Sequence, residues 1–167
     1  MVTFDATGGK ISAANKSVTY QAEYGALPTA TQTGYIFTGW YTAASGGKQI
    51  TDKTIVETPS DHTLYAQWKE DIHSYKVNHF QMNANGSGYT LAETQTLSGR
   101  TGQTVSGAVK TYTGFTSPAA ANTTITADDA AHIDYYYTRN KYQLTISKGN
   151  GISSVSDTFT VTRDALE

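Results

Sequence analysis

GYIFTGWYTAASGG at residues 34–47, followed by HTLYAQW at residues 62–68, decides how this chain reads. A Gly-aromatic start leads into an alternating stretch over residues 36–41, and a second glycine precedes Trp40. The Gly46-Gly47 pair then turns the chain, glycine being the residue that enters positive φ without steric cost. Residues 63–68 read as the closing strand. Its two-residue period sets Leu64, Ala66 and Trp68 on one face and Thr63, Tyr65 and Gln67 on the other, and the first set is the expected core.

Working outward, VTFD at residues 2–5 is an alternating strand that runs into Gly8-Gly9, and SVTY at residues 17–20 supplies the returning strand of a hairpin. Residues 21–27 have room for a short helical turn before Pro28 stops it. The same opening, a strand followed by a glycine-containing turn, recurs as YKVNHF before Gly86-Ser-Gly88 and as YQLTI before Gly149-Asn-Gly151. The starts are spaced by roughly seventy residues, the size of a small autonomous domain. The chain therefore reads as an array: residues 2–69, residues 74–139, and the start of a third, truncated unit at residues 142–167. In the second unit the expected strands are residues 75–82, 89–97, the neighbourhood of Phe115 and 133–137, with one helical turn at residues 128–131. Residues 69–74 form a short polar linker. In the third segment, residues 158–162 are expected to pair with residues 142–146.

With 16% charged residues and a formal net charge of -2, the chain lacks the basic footprint of a nucleic-acid or anionic-membrane binder. It has no cysteine, which excludes a disulfide framework and thiolate metal sites. Its 12 tyrosines and many threonines suit a pleated, half-exposed surface. No apolar run is long enough to span a bilayer, and no signal peptide precedes the first strand.

Four motifs in order, VTFDATGGK, YGALPT, GYIFTGWYT and TLYAQW, resemble the Listeria–Bacteroides repeat, the B-repeat of internalin-type proteins. The second unit, with YKVNHFQMNANGSGYTLAETQTLSGRTGQTV, KTYTGF and IDYYYTR, resembles the mucin-binding-protein repeats of Gram-positive cell surfaces. Both resemblances imply an α+β, β-dominated fold: tandem small β-grasp, ubiquitin-like domains. They also imply a non-catalytic stalk or spacer that presents a distal adhesive domain. The alternative is a module that itself weakly binds host mucin glycans or surface proteins. The implied location is the extracellular, cell-wall-attached bacterial surface, with anchor and signal peptide outside these residues. Neighbouring repeats of the same chain are the other implied partners, and no nucleic acid or membrane contact is expected.

Other chemistry finds little support. His62, His73, His79 and His132 are scattered and read as surface residues; His132 and Asp134 share a strand face but lack further zinc ligands. The Asn83–Gly88 turn resembles the start of a calcium loop, yet Thr94 stands where a bidentate glutamate belongs, so a hairpin turn is expected. Gly46-Gly-Lys-Gln49 lacks the upstream glycine and the hydroxyl of a phosphate loop. Adjacent pairs such as Asp128-Asp129 and Glu70-Asp71 diverge and do not flank a scissile bond. No catalytic, metal or cofactor site is expected. The remaining candidates are Tyr135, Tyr136 and Tyr137: alternation sends Tyr136 to one face and its neighbours to the other, so either a tyrosine is open to a ligand or Tyr135 and Tyr137 line the core.

Overall fold

The alternating apolar residues of VTFD and HTLYAQW become two adjacent central strands in the computed structural model, which describes residues 1–144 and 159–162. The chain divides into two units: Met1–His73 with Gly99–Gln103 and Ile125–Ala127, and the remainder from Ser74 onward.

Unit 1 contains β1 (Val2–Asp5), β2 (Lys10–Ile11), β3 (Asn15–Lys16), β4 (Ala30–Thr31), β5 (Tyr35–Tyr41), β6 (Gln49–Ile50) and β7 (His62–Glu70). Five of them form one sheet in the order β3-β1-β7-β5-β6. β1 and β7 run parallel, Val2 beside His62 and Phe4 beside Leu64, and β5 is antiparallel to β7. Val2, Phe4, Leu64 and Ala66 point inward and pack with Trp40, Ile50, Val56, Tyr24 and Ala30. Trp68 is only partly buried, being near the end of β7. Its indole lies where a Cβ on Gly9 would fall, 2.5 Å from Cζ2, which is why the hairpin turn needs a glycine there. Gly39 marks a bulge between β5 and β7; at φ +134° it adopts a conformation that side-chain-bearing residues rarely reach.

Unit 2 contains most of β8 (Ile72–Met82) and β9 (Tyr89–Arg100), with β10 (Thr104–Ser106), β11 (Phe115–Thr116), β12 (Asn122–Thr124) and β13 (His132–Arg139). The main sheet has the order β11-β13-β8-β9, and β13 is parallel to β8, with Tyr136 beside Phe80. The core face carries Tyr75, Val77 and His79 from β8 and Ile133, Tyr135 and Tyr137 from β13. β14 (Lys141–Leu144) pairs antiparallel with β15 (Phe159–Thr162), Tyr142 beside Val161. This is the pairing expected for the third segment; its Gly149-Asn-Gly151 turn lies outside the described residues.

The α+β expectation is corrected: the described residues contain strands and turns and no helix. Residues 21–27 stay irregular because their backbone groups find partners elsewhere. Gln21 and Tyr24 donate N–H to the carbonyls of Val56 and Thr54, at 2.9 Å each, and Lys16 Nζ donates to the carbonyls of Tyr24 and Ala26 at 2.7 and 2.6 Å. With these bonds made across the unit, an internal helical ladder has nothing to add. Residues 128–131 form a turn in which Asp128 Oδ1 accepts the Ala130 N–H at 3.1 Å and Asp129 takes φ +56°, outside the helical range. Two strand assignments also shift. The partner of β1 is Asn15–Lys16 and not residues 17–20, and the expected linker is largely strand, since β7 extends to Glu70 and β8 begins at Ile72.

Candidate functional site

Strand alternation resolves the tyrosine run of β13. Tyr135 and Tyr137 are 1% and 0% exposed, whereas Tyr136 is 46% exposed on the opposite face. Buried hydroxyls require partners. Tyr135 donates to the Gly107 carbonyl at 2.8 Å, and the Tyr137 oxygen accepts the Lys110 N–H at 2.8 Å. Tyr135 and Tyr137 are therefore core residues, and of the three candidates only Tyr136 can meet a ligand.

Tyr136 does not stand alone. Parallel pairing of β13 with β8 sets its ring on that of Phe80, 5.0 Å between centroids and 14° from coplanar, and Tyr89 from β9 abuts it edge-on at 5.0 Å. On the same face, Asn78 donates through Nδ2 to Asp134 Oδ1 and accepts from Thr94 Oγ1, both at 2.8 Å. The result is an aromatic platform beside a row of amide, carboxylate and hydroxyl groups. Flat aromatic faces with adjacent polar groups suit amphipathic ligands that have an apolar side and a hydroxylated rim. Phe80, Tyr89, Asn78 and Thr94 were not identified from sequence as ligand-facing residues. The signal for Phe80 and Asn78 was present in the alternation of β8, which sends Tyr75, Val77 and His79 inward and the even-numbered residues outward.

His79 departs from the expected surface placement: it is 0% exposed. Its Nδ1 lies 2.9 Å from the Tyr137 hydroxyl. The Tyr137 oxygen also accepts the Lys110 N–H, and among the described residues no atom partners His79 Nε2. Burial, reinforced by the Lys110 ammonium and opposed by Glu93, holds the imidazole pKa below its ordinary value. A base whose pKa is depressed in the folded state binds fewer protons there than in the unfolded chain, so its neutral form contributes stability above the unfolded value, about 6.5. That contribution is lost as pH falls from there toward the folded value. Unit 2 is expected to unfold at lower denaturant at pH 5 than at pH 7.5, with a smaller difference in His79→Leu; equal pH sensitivity in the variant would remove His79 as the cause.

The other histidines are accounted for locally. His62 Nε2 meets the Tyr24 hydroxyl at 2.7 Å, His73 Nε2 lies 3.1 Å from Asp71 Oδ1, and His132 Nε2 lies 3.9 Å from Asp134 Oδ2. Among the described residues no three His, Cys, Asp or Glu side chains cluster as metal ligands would. In the Asn83–Gly88 turn the side-chain oxygens are engaged internally, Asn83 Oδ1 by Thr90 at 2.6 Å and Asn85 Oδ1 by the Ser87 N–H at 2.9 Å, as a hairpin turn requires. Gly46 and Gly47 belong to the turn that brings Lys48 N within 2.9 Å of Thr42 Oγ1. In unit 1, an open cleft of about 560 Å³ is lined by Gly8, Gly9, Lys10, Thr31, Gln32 and Thr33.

Comparison with known proteins bears on unit 1. None of the curated proteins searched matches the chain. No helix among the described residues is long and apolar enough to cross a membrane. Residues 1–67 match the Listeria-Bacteroides repeat domain, a repeat typical of extracellular bacterial surface proteins and generally non-catalytic; the match does not extend into unit 2, so the mucin-binding resemblance there gains no support from it.

Proposed function

We propose that this chain is a non-catalytic stalk segment of a cell-wall-attached bacterial surface protein, holding a distal binding domain away from the wall. The observation that carries the proposal is the match of residues 1–67 to a surface-protein repeat. A β-grasp reading of both units supports it. In each, a parallel pair, β1 with β7 and β8 with β13, lies inside the main sheet, and unit 1 has the flanking order such a fold needs. The segment from residue 142 is, on this reading, the beginning of a further repeat. The test inserts one, two or four copies of the chain between a wall anchor and an epitope displayed on a bacterial surface. Epitope height should rise with each copy; a height independent of copy number would end the spacer reading.

A second reading is favoured by the platform of Tyr136, Phe80 and Tyr89: direct, weak adhesion to host glycans or surface proteins. Stacking of a sugar ring on Tyr136 predicts binding to mucin-type glycans that Tyr136→Ala abolishes while far-UV circular dichroism shows the variant folded, at some loss of melting temperature because the ring packs on Phe80 and Tyr89. A glycan array run with both proteins checks this. Silence of the wild-type protein on the array leaves the spacer role alone.

A further inference from the structure

The edges of the two main sheets are not alike. Three are closed by strands of two residues, β3, β6 and β11. Such short edges offer little to a pairing partner. Among the described residues the fourth is β9, twelve residues long, and residues 89–96 are exposed at every position. Its sequence, YTLAETQTLSGR, carries neither proline nor lysine and only one charge, Glu93, before Arg100. Charges and prolines are what normally protect an edge; here the protection is one ion pair, Glu93 with Lys110, and the rest of the edge is a template for another strand.

The strand is also complementary to itself. In an antiparallel pair of two β9 strands with a two-fold axis through Thr94, Leu91 faces Leu97 of the second copy, Ala92 faces Thr96, Thr90 faces Ser98 and Thr94 faces Thr94. Glu93, whose carboxylate is held by the Lys110 ammonium, faces Gln95, so no second carboxylate lies opposite it. Sliding the pair by two residues would set Glu93 against Glu93, and like charges directly opposite are destabilising. Centring on Thr94 sets Leu91 on Leu97 and Thr90 on Ser98 while keeping the two Glu93 carboxylates apart. We propose that β9 is a homophilic interaction strand: two copies of this chain associate through antiparallel β9–β9 pairing centred on Thr94, joining their sheets edge to edge.

Sedimentation velocity of the full chain across a concentration series tests the association, and the absence of native cysteine makes the register readable. A reversible dimer is expected. Thr94→Lys and Leu91→Lys, both at exposed positions, should weaken it, and the double variant by at least ~10-fold, several cross-strand pairs being lost together. Unchanged far-UV circular dichroism establishes that the variants fold. Under mild oxidation Thr94→Cys should form a disulfide-linked homodimer, because directly opposed residues lie at Cα distances a disulfide can span. Thr96→Cys should not link to itself but should link to Ala92→Cys when the two are mixed. A chain that stays monomeric throughout, a dimer indifferent to the lysine variants, or self-linking at Thr96→Cys in place of Thr94→Cys would each overturn the proposal.

Discussion

Replacing Trp40 with alanine should lower the stability of unit 1 by about 3–5 kcal/mol. The indole is 1% exposed and packs edge-on against Phe4 and Phe37, with centroids 4.8 and 5.5 Å away. Its Nε1–H donates to the Pro28 carbonyl at 2.9 Å, so truncation removes the ring and leaves that carbonyl without its partner. Small domains have only about 5–15 kcal/mol in total, and the unit should lose much of its cooperative unfolding. Urea titration followed by the fluorescence of Trp68 measures it, since the chain has 2 tryptophans. Trp68→Ala should cost less than Trp40→Ala, because Trp68 is partly exposed, although its Nε1–H bonds to the Ala6 carbonyl and Thr7 Oγ1 would be lost. A midpoint for Trp40→Ala close to wild type would mean that the sheet is not organised around that ring.

Tyr137→Phe should destabilise unit 2 by about 2–4 kcal/mol, as two buried polar groups are left unpaired at about 1–3 kcal/mol each. The Lys110 N–H loses its acceptor and His79 Nδ1 its hydrogen-bond partner, in a core where Nε2 has no partner among the described residues. The combined variant Tyr137→Phe/His79→Leu should recover part of the loss, since removing both partners of a buried hydrogen bond costs less than removing one. Chemical denaturation of the wild type, the two single variants and the double variant forms the cycle, and strict additivity of the two substitutions would show that the hydroxyl and the imidazole do not depend on each other.

Where local chemistry determines structure, the sequence was a good guide. Gly39 before Trp40, the Gly46-Gly47 turn and the alternation of Leu64 and Ala66 all lead to the strands, bulge and core of unit 1, and the same alternation separates Tyr136 from its neighbours. What was not legible depends on distant partners. The segment at residues 21–27 has the length and composition for a helical turn, but its N–H groups pair with residues 52–56, which no local pattern announces. His79 reads as polar and exposed until parallel pairing places Tyr135 beside it and Tyr137 against its ring. Phe80 became part of the candidate site for the same reason: its neighbour Tyr136 is 56 positions away in the chain, and only the β8–β13 register brings them together.

The parallel pairing of β1 with β7 also fixes how unit 1 responds to tension. Force entering at the start of β1 and leaving at the end of β7 pulls two neighbouring strands lengthwise in opposite directions. The hydrogen bonds that join Val2 through Asp5 to His62 through Tyr65 are then loaded in shear and must fail together, not one after another as they would in a peeled hairpin. A module wired this way yields abruptly, at a threshold, and keeps its length until that threshold is reached.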